Sequence, residues 1–70
     1  MSPTVQLYDQ YIKTLKKCYN YKNKQDFINL LNEIGALRGL AKALEIYNVE
    51  VKNLEYLTFI KLQKKLIKLL

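Results

Sequence analysis

The sequence predicts an all-α protein, a small three-helix up-down-up bundle completed by homodimerisation. Apolar residues recur at spacings of three and four along most of its 70 residues, a pattern that a helix gathers on one face. Interruptions near residues 20–23 and after residue 47 divide the pattern into three segments. One cysteine and no histidine exclude an internal disulfide and a structural zinc site. A chain this short has a thin stability margin, so a partner copy is the expected compensation.

The first helix is predicted over residues 3–20. Ser2 can cap its free amides and Pro3 suits its first position. Its apolar stripe contains Tyr8, Tyr11, Leu15 and Cys18. A cysteine on such a stripe is typically a small buried hydrophobe. The alternative is an exposed thiol whose pKa is lowered by Lys16 and Lys17.

The second helix is predicted over residues 24–47, after a connection at 20–23 and with Asn23 as its cap. Its large apolar seam is Phe27, Leu30, Ile34, Leu37, Ala41 and Leu44. A second face is built of the small residues Gly35, Ala36, Gly39 and Ala43. This composition favours a central helix packed from two sides. The glycines leave two interpretations open, a continuous helix with close packing or a break near Gly35.

The third helix is predicted over residues 49–69, with Asn48 or Asn53 as its cap. Apolar residues cover about half of its circumference, which is more than one neighbouring helix buries. We therefore expect part of this face to form an interface with a second subunit or a partner. The predicted interface residues are Phe59, Ile60, Leu62, Leu66, Ile67, Leu69 and Leu70.

Charge is distributed as a basic, a mixed and a second basic segment, with a net charge of +6. An up-down-up bundle would bring the two basic segments to one end of the molecule. The resulting surface, here called the lysine pole, consists of Lys13, Lys16, Lys17, Lys22, Lys24, Lys61, Lys64, Lys65 and Lys68. Such a surface attracts nucleic-acid phosphates, and Tyr19 and Tyr21 within it could stack on bases. The alternative is an ordinary solvated face, since the helix dipole also favours lysines near helix C-termini.

Two further function classes stay open at this point. A protein-binding adaptor or inhibitor, of the kind found in viruses and mobile elements, would dock through the apolar face of the third helix. A basic amphipathic third helix could also lie on a membrane surface.

A helix-turn-helix can be aligned with residues 37–54, although Glu45 stands where the turn usually has glycine. Its second helix would present Tyr47, Asn48, Val49, Lys52 and Asn53 to the major groove.

The stretch from Tyr11 to Cys18, together with Leu54, Leu57, Thr58, Lys61 and Leu62, resembles the small bacterial nucleoid modulators of the Hha type. The alignment needs a three-residue insertion after Cys18, and the middle of the chain does not agree. The resemblance implies a small helical protein that acts by binding another DNA-bound regulator.

Catalysis is not expected. The chain has no histidine, its only serine is Ser2, and it has neither a glycine-rich phosphate loop nor paired carboxylates. We predict a non-enzymatic protein with no cofactor, metal or small-molecule substrate. No signal pattern or membrane-spanning stretch is apparent, and the lone cysteine fits a reducing, cytoplasmic location.

Overall fold

A computed structural model describes residues 2–51 and 53–69, and over these ranges it contains three α-helices and no strand. The helices are α1 (Pro3–Asn23), α2 (Phe27–Ile46) and α3 (Leu54–Leu69). The molecule measures 39 × 19 × 17 Å. Contact between α1 and α2 is the most extensive, and α3 packs on that pair. The predicted all-α class and small bundle are therefore confirmed.

The start of α1 follows the sequence prediction. Ser2 has an extended backbone, its hydroxyl accepts a hydrogen bond from the Val5 amide at 3.4 Å, and Pro3 opens the helix. The end lies three residues later than predicted, because residues 20–23 form the last turn of α1 rather than a connection. Tyr21 packs against the core from this turn, and such tertiary contact outweighs the low helix propensity of asparagine.

The chain reverses through Lys24, Gln25 and Asp26. Gln25 adopts a left-handed backbone with φ of 59°, and the Asp26 amide donates to the Tyr21 carbonyl at 3.0 Å. Asp26, not Asn23, is the N-cap of α2, and its carboxylate accepts from the backbone amide of Asn29 at 3.4 Å.

The second helix is continuous through both of its glycines and ends at Ile46. The interpretation that placed a break near Gly35 is therefore wrong. Beyond the helix, Asn48 is left-handed with φ of 62°. The amide of Val49 donates to the Leu44 carbonyl at 2.9 Å and closes the helix end.

The third helix begins at Leu54 and not at residue 49. Asn53 is its cap, since its side-chain oxygen accepts from the Tyr56 amide at 2.9 Å. The delay has a packing reason: Val51 is buried, and the Tyr11 hydroxyl donates to the Val51 carbonyl at 3.5 Å. This contact holds the connecting segment in a non-helical conformation against α1.

The same segment overturns the helix-turn-helix interpretation. Tyr47, Asn48, Val49 and Asn53 lie outside any helix, so they cannot form a recognition helix. Lys52, the remaining residue of that motif, lies outside the described residues.

The core is one cluster drawn from all three helices and the second connection. Its buried members are Tyr11, Leu15, Cys18, Leu30, Ile34, Leu37, Ala41, Leu44, Val51, Phe59 and Leu66. The predicted seam of α2 is buried except for Phe27, which is partly exposed. Cys18 is fully buried as predicted. In the described part of the chain, each buried side-chain nitrogen or oxygen has a hydrogen-bond partner.

The small-residue face of α2 is largely unoccupied. Gly35, Ala36 and Gly39 are exposed, and a Cβ atom at either glycine would meet nothing within 4 Å. The expectation that α2 is packed from two opposite sides is thus not met within the single chain. The other helices contact it through its large apolar seam.

Candidate nucleic-acid interface

All nine lysines of the predicted pole are exposed. Four lie on α1, one in the turn between α1 and α2, and four on α3 between Lys61 and Lys68. None of them belongs to the core, so each side chain is accessible from solution. Exposure alone does not distinguish a binding surface from a solvated one.

Lys13 differs from the other pole lysines because it is paired with an acid. Its ammonium group lies 3.0 Å from the Asp9 carboxylate, one helical turn earlier. Both side chains are more than half exposed, so the pair adds little to stability. It does offset the local positive charge. The sequence carries a signal for this pair, because Asp9 and Lys13 stand at i,i+4 spacing on one helix.

Two ring pairs fix α3 on α1. The rings of Tyr11 and Tyr56 are 6.5 Å apart. Further along both helices, Tyr19 meets Phe59 edge to face, with centroids 4.9 Å apart.

The third helix also contacts α2, where a polar contact lies beside the shared apolar core. The Arg38 guanidinium donates to the Gln63 side-chain oxygen at 3.1 Å. The third helix therefore lies against both members of the α1–α2 pair.

The tyrosines proposed for base stacking are partly used within the fold. The Tyr19 ring packs against the Phe59 ring in a T-shaped arrangement, and Tyr19 is 38% exposed. Tyr21 is half-buried against the core. Both rings therefore have packing roles within the fold, which reduces the ring surface available for base stacking.

The predicted α3 interface divides into three groups. Phe59 and Leu66 belong to the protein's own core, and Ile60 and Leu62 are half-buried against it. Ile67 and Leu69 are exposed, while Leu70 lies outside the described residues. The docking of α3 on α1 and α2 therefore uses most of the wide apolar arc that the sequence suggested for a partner.

Two buried groups have raised pKa values. Burial, with a smaller effect of the nearby Glu33 carboxylate, raises the pKa of the Cys18 thiol to about 11. Burial, followed by Tyr56 and Tyr8, raises the pKa of the Tyr11 hydroxyl to about 12. The thiol is therefore protonated at neutral pH, and the alternative of an activated cysteine is wrong.

Other kinds of site have little support among residues 2–51 and 53–69. They contain no group of histidine, cysteine and acidic residues that could hold a metal ion. The surface depressions are shallow, for example the one lined by Val5, Gln6, Asp9, Gln10 and Lys13. Within the same part of the chain, each helix is too short or too polar to cross a membrane.

Sequence reasoning overlooked two exposed apolar residues on α2. Ile28 and Ile46 lie on the side of the helix opposite the buried seam, with Gly35 and Gly39 between them. The sequence carried the signal for their position, because at about 100° per residue both fall on the side of the helix opposite the seam.

No protein-family model, curated protein or solved structure matches this chain. The resemblance to Hha-type modulators thus has no further support, and function must be argued from the chain's own surface.

Proposed function

We propose that this chain is a small non-enzymatic regulatory protein that binds nucleic acid through the lysine pole. The observation that carries the proposal is the direction of α3 along α1. Tyr56 pairs with Tyr11, and Phe59, further along α3, pairs with Tyr19, further along α1. Both helices then run the same way, as an up-down-up bundle requires.

The dimensions of the molecule support this arrangement. A helix of 16 residues is about 24 Å long at about 1.5 Å per residue. It does not fit straight across either short dimension, 19 or 17 Å. Beyond Phe59, α3 therefore continues toward the end at which α1 finishes and α2 begins. Lys64, Lys65 and Lys68 would approach Lys22 and Lys24 there.

The expected ligand contact is with phosphates and not with base edges. Lysine ammonium groups are flexible point charges, and phosphate contacts fix position without reading sequence. Tyr47, Asn48, Val49 and Asn53, which the helix-turn-helix alignment assigned to base contact, lie outside any helix. We therefore propose sequence-independent binding in a cytoplasmic compartment, where the single buried thiol stays reduced.

A salt titration tests this proposal. Binding of a labelled generic duplex, followed by fluorescence anisotropy, should weaken steeply between about 50 and 200 mM salt. The logarithm of the binding constant, plotted against the logarithm of the salt concentration, should have a slope of about −0.9 for each phosphate contact. Replacing Lys64 and Lys65 with glutamine should make that slope less steep by about 2. The matched control is Lys52→Gln, a lysine that belongs neither to the pole nor to α2. Absent binding at 50 mM salt, or an equal effect of the control, would refute the proposal.

The exposure of Ile67 and Leu69 favours a second candidate, a helical adaptor or inhibitor. Their side chains are 59% and 79% exposed at the end of α3. Residues two apart lie on different sides of a helix, so a partner that covers both would enclose the last turn of α3. Changing both to glutamine should then abolish a protein complex while leaving duplex binding intact. If duplex binding also falls with these changes, nucleic-acid binding and protein binding would use the same surface.

A further inference from the structure

We propose that the outer face of α2 binds a second copy of this chain, with the two α2 helices antiparallel. This face consists of Ile28, Asn32, Gly35, Gly39, Lys42 and Ile46. Ile28 and Ile46 are 73% and 80% exposed. Their separation of 18 residues is five helical turns at about 3.6 residues per turn, so both lie on one line of the helix, opposite the core.

The face is self-complementary about residue 37. Ile28 and Ile46 lie nine residues on either side of that point, and Gly35 and Gly39 lie two residues on either side. A two-fold axis there would place Ile28 against Ile46 of the second copy at both ends of the contact. Two-fold dimers require a patch that matches itself in this way.

Open space at the centre of the face permits the approach. Neither glycine position has an atom within 4 Å of an added Cβ. Both glycines weaken the helix relative to alanine, and the single chain gains no packing from them. Two helices crossing at these positions could bring their backbones close together while the isoleucines cover the ends.

The distribution of charge identifies α2 as the helix most suited to self-association. A molecule with net charge +6 repels its own copy. Within α2, Glu33 and Glu45 balance Arg38 and Lys42, whereas α1 and α3 each carry four lysines against one acid. The two-fold also places Lys42 beside Asn32 of the second copy and not beside another lysine. Contact through the predicted α3 face would instead oppose two basic helices.

The accessible surface provides an independent argument. The single chain exposes 5099 Å², whereas a folded monomer of 8.3 kDa is expected to expose about 4,600 Å². The excess is about 500 Å² per copy, and about 1,000 Å² for a pair is the lower limit of a specific interface. A helix-length contact on α2 is of the size needed to cover that excess.

Sedimentation equilibrium of four proteins tests the inference. We expect wild type to have twice the mass of 8.3 kDa and Gly39→Gln to be monomeric with at least the wild-type helicity by circular dichroism. The added side chain meets open space in the monomer but blocks the approach of the second helix. Ile46→Gln should raise the dissociation constant about 100-fold, because each dimer loses two apolar contacts. Ile67→Gln on α3 is the matched control and should remain dimeric.

Spin labels at Lys24→Cys report the orientation, since native Cys18 is fully buried and resists labelling. The antiparallel arrangement places the two labels about 40 Å apart, from the rise of about 1.5 Å per residue. Distances below about 25 Å would indicate parallel helices and overturn the proposal. So would a monomeric wild type at about 1 mM, or a dimer that survives Gly39→Gln. Loss of the dimer in Ile67→Gln would assign the interface to α3 instead.

Discussion

Replacing Phe59 with alanine should detach α3 from the rest of the molecule. Phe59 is 1% exposed and meets the Tyr19 ring edge to face at 4.9 Å. Among the described residues of α3, only Phe59 and Leu66 are buried. Truncating such a phenylalanine removes about 3–5 kcal/mol of the free energy of unfolding, and the ring pair contributes about 0.5–1.5 kcal/mol of it.

This loss is large relative to the total free energy of unfolding. A domain of 70 residues has a free energy of unfolding of roughly 3.5–10 kcal/mol at about 0.05–0.15 kcal/mol per residue. A loss of 3 kcal/mol corresponds to a fall in melting temperature of at least about 12 °C in a domain of this size. Duplex binding should weaken as well, because the α3 lysines would leave the pole.

Thermal melting followed by circular dichroism measures the effect. The control is Ile67→Ala on the same helix, where the side chain is 59% exposed and the expected change is within about 1 kcal/mol. If Phe59→Ala melts within about 4 °C of wild type, a change of less than about 1 kcal/mol, Phe59 does not hold α3. The argument from helix direction to the lysine pole would then lose its basis.

Two further predictions concern alkaline pH and helix capping. The folded pKa values of Cys18 and Tyr11, about 11 and 12, lie above the ordinary 9.0 and 10.0. The stability contributed by these two groups should therefore be constant below pH 9 and be lost from pH 9 to 12, measured as the urea midpoint. Cys18→Ala should abolish the part of the loss that begins at pH 9, and an unchanged profile would contradict this assignment. Asn53→Ala should lower the free energy of unfolding by about 1 kcal/mol, because the Tyr56 amide loses its cap. Asn20→Ala inside α1 should not lower it, and equal effects would argue against the cap.

The sequence predicted which segments are helical more accurately than where each helix begins and ends. The seam of α2 repeats at three and four, so it identified five core residues correctly. The connection between α1 and α2 was predicted too early in the chain, because asparagines at residues 20 and 23 suggested it. Packing of Tyr21 against the core instead extends α1. The reversal depends on a left-handed Gln25, and glutamine carries no signal for that conformation. The start of α3 depends on Val51 entering the core, which is a tertiary effect.

The candidate site was predictable to a similar degree. Lysine composition alone predicts exposure, and the structure places all nine lysines at the surface. The division of the α3 apolar arc was not predictable, because Phe59 and Ile67 belong to the same pattern. Which of them faces inward depends on how α3 lies across the other two helices, and no local spacing encodes that geometry.

The empty space beside Gly35 and Gly39 has a consequence for mutational scanning. A library selected only for resistance to proteolysis should enrich alanine and longer helix-forming residues at both positions, because each glycine lowers helix stability by about 1 kcal/mol and a Cβ meets no atom within 4 Å. A library selected in the cell for activity should retain glycine there if the activity requires assembly. The divergence between the two enrichment profiles would separate what these positions do for folding from what they do for the working form of the protein.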